Sequence, residues 1–129
     1  MALVYNAGLA LYLYPQELIR FGASHTAAED EVVTAEHYFL CLSADAREGF
    51  WTPMHVTRGQ DRKPVPESAK TGHQRWTRGL SYYDTSELWR IPHKAIQRAA
   101  MVAGDKSSEK DQNRLAPAWV PDRSLFPAM

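Results

Sequence analysis

Apolar residues along this chain come in short blocks separated by charged and turn-forming stretches. The first block, MALVYNAGLALYLYP, is apolar with Tyr5, Tyr12 and Tyr14 interspersed. Its weak alternation predicts a strand over 2–14 that ends at Pro15. PQELIRFG (15–22) predicts a short helical turn, with Pro15 at its first position and Gly22 as its stop. In 23–35, Ser24 and Thr26 are cap candidates followed by acids, which favours a helix start. Val32, Val33 and Thr34 oppose it, so the stretch reads as a loop or a short helix.

EHYFLCLSA (36–44) is the clearest buried strand, continuous in aromatic and aliphatic residues and closed by the turn set ADAREG. FWTPMHVT (50–57) is the next strand. Its alternation separates Phe50, Thr52, Met54 and Val56 from Trp51, Pro53, His55 and Thr57, and Pro53 predicts an edge or a bulge. Two prolines, two glycines and many charges make 58–74 a long mobile connection. RWTRGLSYYD (75–84) predicts a hairpin around Arg78-Gly79, and ELWRIP (87–92) a short strand. HKAIQRAAMVAG (93–104) predicts a helix stopping at Gly104, its apolar stripe made by Ala95, Ile96, Ala99, Ala100 and Val102. The remainder is charged, then proline-punctuated, with Trp119, Leu125 and Phe126 as anchors to the body. The predicted fold is mainly β with helical additions: a strongly bent barrel or sandwich over 1–104, followed by a tail over 105–129.

With 129 residues, 44% of them hydrophobic, the chain suits one folded domain with a sizeable core. The first apolar run has no basic leader and is too short to span a bilayer. A soluble, cytoplasmic protein without membrane contact is therefore expected. The single cysteine, Cys41, excludes an internal disulfide and reads as a small buried hydrophobe. On a strand, His37 would share its face but lie roughly 13 Å away, too far to activate it. The net charge is zero, yet residues 1–50 hold two basic and seven acidic residues, and 51–100 hold nine basic and four acidic. A basic middle suits an anionic partner, or else the two halves neutralise each other.

The order of elements carries a resemblance. HYFLCLSAD resembles the "RPALVLS" strand of the MazF/PemK-like toxins, small SH3-like barrels that cleave RNA. FWTPMHVT is similar to that family's following strand, which ends in Thr or Ser, a position matched by Thr57. SYYDTSELWRIPHKAI resembles the late segment that leads into the family's C-terminal helix. The resemblance spans about residues 36–103 and implies a small SH3-like barrel with endoribonuclease activity. One departure is plain. The family's catalytic basic residue precedes its central strand, whereas Glu36 and His37 stand there in this chain.

Among the five histidines (25, 37, 55, 73 and 93), no pair has HxH, HxxxH or HExxH spacing, so neither a metal site nor a cofactor is expected. His55 and His73 flank the long basic loop. Either is a candidate general base for attack by a ribose 2′-OH, with Arg58, Arg75 and Arg78 as cations for the phosphorane. His55, Thr57, His73 and Arg75 form the candidate catalytic set. Arg58, Arg62, Lys63, Lys70, Trp76, Arg78 and Tyr82 form the candidate RNA surface, combining cations for phosphate with flat faces for bases. Neighbouring strand residues face opposite sides, so one of Tyr82 and Tyr83 should be buried, and Trp89 is expected in the core. The acids Glu29, Asp30, Glu31 and Glu36 read as a solvated face. The alternative to RNA is a non-catalytic protein-interaction module of the accessory, antitoxin or immunity type. Its contact would be the acidic half or the aromatic hairpin. A third reading is an unrelated histidine-dependent hydrolase. The oligomeric state is left open, a homodimer included.

Overall fold

A computed structural model describes residues 4–103 and 112–129 and shows nine short strands with three helices. The strands are β1 (Ala10–Leu13), β2 (Ser24–His25), β3 (His37–Ala44), β4 (Glu48–His55), β5 (Arg62–Val65), β6 (Lys70–Thr71), β7 (Ser81–Asp84), β8 (Trp89–Pro92) and β9 (Arg114–Leu115). The helices are α1 (Pro15–Arg20), α2 (Gln74–Thr77) and α3 (His93–Ala103). The fold is thus mainly β with helical additions.

Seven strands make one antiparallel sheet in the order β1-β3-β4-β7-β5, with β8 pairing both β4 and β2. This path does not close into a barrel among the described residues. The long strand β4 explains the shape. One edge lies along β3, while the other is divided: Glu48–Trp51 pair with β8, and Met54 and His55 pair with β7. Thr52 and Pro53 fall in the gap, which is where a proline does least harm to a ladder. The buried Thr52 hydroxyl lies 3.0 Å from the Glu87 carbonyl and 3.4 Å from that of Asp84, spanning the fork.

Alternate residues of the central strands enter two cores, as a doubly covered sheet requires. Leu9, Leu11, Leu13, Phe39, Cys41, Trp51 and Trp89 pack with Leu18 of α1 and Ala95, Ile96 and Ala99 of α3. Ala10, Leu40, Leu42 and Met54 pack on the other side with Val65, Trp76, Leu115 and Phe126. The expected stripe of α3 is therefore real at Ala95, Ile96 and Ala99. The side chains of Ala100 and Val102, the stop at Gly104 and the charged run to 111 lie outside the described residues, as do residues 1–3.

Several expectations need correction. The first strand begins only at Ala10: Gly8, at φ +95, still donates its N–H to the Cys41 carbonyl of β3, but its carbonyl turns away to accept from Leu115. Of the two readings of 23–35 the loop holds, with the two-residue β2 inside it. The connection 58–74 contains β5 and β6, since Arg62–Val65 pair with β7 and Lys70–Thr71 with β9. Instead of a hairpin, 75–84 comprises most of the one-turn helix α2 and then β7. Gly79, at φ +76, lies between them. The segment 112–126 packs on the body: Leu115 and Phe126 are buried, whereas Trp119 and Leu125 stay exposed.

Asn113 ties that segment down. Its buried side-chain oxygen accepts the His73 N–H at 2.8 Å, and its carbonyl accepts from Ala10. Gly72 lies under it at φ +127, and a Cβ there would come within 2.2 Å of Asn113 Oδ1 and 2.8 Å of its Cα. Gly79 also has positive φ but nothing within 4 Å. Gly72→Ala should therefore destabilise by about 3 kcal/mol or more, and Gly79→Ala by about 1 kcal/mol. Chemical denaturation of the two variants measures the difference, and equal losses would remove the role given to the Gly72–Asn113 contact.

Candidate functional site

A cavity of about 380 Å³ opens at the end of the sheet where β1 and β4 finish and β3 and β7 begin. Tyr12 of β1, Glu36 with His37 and Tyr38 of β3, and Met54 to Thr57 line its floor and one wall. Arg62, Arg75, Trp76, Arg78 and Ser81 complete the lining. Of the sequence candidates, it gathers His55, Thr57, Arg62, Arg75, Trp76 and Arg78.

The centre is a histidine pair. A bulge in β3 makes Cys41 and Ser43 oppose Trp51 and Phe50, so Leu42 is the extra residue. From there Leu40 pairs with Thr52 and Phe39 with Pro53, and the same register carried to the strand end sets His37 across from His55. The two rings meet edge to face with centroids 5.3 Å apart. His37 Nδ1 lies 2.7 Å from the Ala35 carbonyl, which can only accept, so that nitrogen is the donor and Nε2 is left to face other partners. His55 is only 8% exposed, and its Nε2 is buried with no hydrogen-bond partner among the described residues. Burial, then the charges of Arg62 and His37, push the His55 imidazole down to about 4, against the opposing charge of Asp84. It is therefore neutral at pH 7.

Arg62 is fixed in place. Its Nη1 donates to the Thr57 hydroxyl at 2.8 Å and to the Thr57 carbonyl at 3.1 Å, and its Nε lies 3.5 Å from the Asp84 carboxylate. Thr57 thus positions a guanidinium. Burial alone would raise the Asp84 carboxyl, but hydrogen bonds from Ser86 and Arg62 outweigh it and hold it low. Arg75 stands over the Tyr12 ring at 5.8 Å, and a run of tilted rings continues from Tyr12 to Tyr38 at 4.9 Å and to Trp76 at 5.2 Å.

Other candidates are placed differently. His73 lies outside this cavity. It caps α2 by accepting the Arg75 N–H on Nδ1 at 3.0 Å, and it lines a shallower hollow with Gln74, Arg75 and Arg78. Lys70 is 5% exposed, with Nζ donating to the Gly79 carbonyl and the Ser81 hydroxyl, and burial pushes its ammonium down. Trp76 is 1% exposed and spends its indole N–H on the Arg114 carbonyl, so it offers almost no face for stacking. Tyr82 is the buried member of the tyrosine pair. Arg58 and Lys63 are exposed and do not line the cavity. Burial raises the Cys41 thiol to about 12, the state of an inert core residue. Sequence reasoning missed His37, Tyr12, Tyr38 and Glu36 as site residues. The resemblance placed Glu36 and His37 where the family has its catalytic cation, but only the strand register sets His37 opposite His55.

Among the described residues, no group of three or more His, Cys, Asp or Glu side chains could hold a metal ion, and no helix is long and apolar enough to cross a membrane. No family model, curated protein or solved structure matches the chain.

A neutral buried histidine makes stability depend on pH in a definite direction. The unfolded chain takes up a proton near 6.5, whereas native His55 does so only near 4. Between these values the unfolded state binds more protons, so stability falls as pH drops from about 6.5 to about 4 and the loss levels off below. His55→Gln should flatten that part of the curve relative to the unmodified protein. Denaturant midpoints across pH 4–7 check it, and parallel curves would show that His55 is not buried neutral.

Proposed function

We propose that this cavity binds single-stranded RNA and cleaves its backbone by attack of a ribose 2′-OH on the adjacent phosphorus. The observation that carries the reading is the edge-to-face pair of His37 and neutral His55, both lining a cavity that three arginines also line. In this scheme His55 takes the 2′-OH proton as the O–P bond forms. The P–O5′ bond breaks, and protonated His37 delivers its Nε2 proton to the leaving 5′ oxygen. The products are a 2′,3′-cyclic phosphate and a free 5′-hydroxyl. Arg62, Arg75 and Arg78 face the negative charge that builds on the phosphorane. A base titrating near 4 is weak at neutral pH, but a phosphate brought beside it favours the protonated imidazole and raises its basicity when substrate arrives.

The kinship with MazF/PemK-like toxins and the SH3-like barrel belong to the same proposal. They are supported by the β3–β4 pair, the position of Thr57 and the late strand that leads into α3. The catalytic cation would then come from Arg62, Arg75 and Arg78 rather than from the residue before the central strand. A cytoplasmic location would follow from such a role.

A second reading, the non-catalytic protein-interaction module, is favoured by one observation. Val56, next to His55, is 85% exposed, and Leu80, next to Ser81, is 50% exposed, so the cavity is flanked by apolar surface.

The two readings separate on purified protein with mixed-sequence RNA in chelator. Cleavage to cyclic-phosphate ends is expected, blocked by 2′-deoxy substitution at the scissile sugar. His55→Gln and His37→Gln should each lower the rate by about 10²-fold or more, while His73→Ala leaves it unchanged. Arg75→Ala with Arg78→Ala should weaken binding and flatten its salt dependence. Intact RNA, or cleavage that survives both histidine substitutions, overturns the catalytic reading.

A further inference from the structure

We infer that Glu36 makes this cavity selective for guanine at the base beside the scissile phosphate, an inference that rests on the RNA reading above. Glu36 immediately precedes His37 and lines the same cavity as Arg62, Arg75 and Arg78. A carboxylate repels phosphate, so its place in a cavity with three guanidiniums calls for a partner that donates hydrogen bonds. The Tyr14 hydroxyl supplies one such bond, and a carboxylate has room for about four. The neighbouring wall suits a base. Tyr12 and Tyr38 are half-buried rings 4.9 Å apart, so flat apolar surface stands beside an acceptor.

The four bases differ in what they show a carboxylate. Guanine presents N1–H and the N2 amino group side by side, two parallel donors for two oxygens. Uracil has one N–H between two carbonyls, which a carboxylate repels. Adenine and cytosine each set an amino group beside a ring nitrogen that accepts. Only guanine matches both oxygens of Glu36 without an opposed lone pair, and a bidentate contact of this kind discriminates strongly against the wrong base. Guanidiniums for the phosphate, tyrosine rings beside the base and Glu36 for its edge all line the one cavity.

Inosine, which lacks the N2 amino group, is the test. Fluorescence anisotropy would compare short oligouridylates carrying one central guanosine, inosine or adenosine, each 2′-O-methylated so that binding is read without turnover. Guanosine should bind about tenfold tighter than the other two. Glu36→Gln replaces one acceptor by a donor and should bring the three within about twofold of one another. Tyr14→Phe removes the hydrogen bond to Glu36 and should keep the preference, which separates base reading from a structural role. Equal binding of guanosine and inosine by the unmodified protein, a preference that survives Glu36→Gln, or a uniform loss for all three probes in that variant overturns the inference. If no probe binds, the RNA reading falls and this one with it. A guanosine preference in binding, with the unprotected oligonucleotide left intact, supports the inference and removes only the catalytic step.

Discussion

One strand is shared between two partners along a single edge, and the rest of the molecule is arranged around that division. β4 hands its first half to β8 and its last two residues to β7. A sheet cannot split without stranding polar groups at the fork. Thr52 answers this with a buried hydroxyl reaching the carbonyls of Glu87 and Asp84, one from each diverging side. On the β8 side, α1 and α3 cover the first core. On the β7 side, β5, α2 and the C-terminal segment cover the second. His55 is the last residue of the shared strand, so its position is a direct consequence of where the fork falls.

The second constraint is the extra residue in β3. Between Ala44 and Ser43 the strands run in one register, and after Leu42 they run in another, shifted by one. Carried through unbroken, the first register would set Val56 across from His37. The bulge substitutes His55, and with it comes the histidine pair. Because strand side chains alternate, a one-residue shift changes which residues meet across the ladder, and so which chemistry a strand end presents. Leu42 is buried in the second core, so the packing of that leucine holds the register.

What was legible in the sequence follows from these two features. β3, β4, β8 and α3 were plain because each carries a long periodic or continuous apolar signal, and the burial of Cys41 and Trp89 followed from it. β5 was hidden by Pro64, Pro66 and flanking charges. As an outer strand it needs one paired edge and little burial, so its composition resembles a loop. α2 was mistaken for half a hairpin because four residues are too few to show a helical period, and its tryptophan is covered by a segment nearly forty positions away. The candidate site was half visible. His55, Thr57 and the arginines were named from charge and proximity in sequence. The pairing of His37 with His55 was not legible, because it joins positions eighteen residues apart through a bulge with no marker in the residue types. His73 was drawn in because a capping histidine and a catalytic one look alike in a sequence.

The contacts of residues 113–115 bear on the order in which the molecule can be completed. Asn113 receives the N–H before α2, the Arg114 carbonyl holds the Trp76 indole, and Leu115 pairs with Lys70 and seals the second core. The first two hold α2, which also bounds the cavity, yet all three are synthesised long after it. A growing chain that has extruded everything through α3 has its first core but lacks the clasp on α2. Arg75 and Arg78, carried by that turn, then have no fixed bearing on the histidines. During translation the histidine pair can form early, while the cationic wall waits for residues 113–115. Assembly of the site is thereby tied to a segment made nearly forty positions after α2, and a nascent chain that has not yet extruded it would carry the pocket only in part.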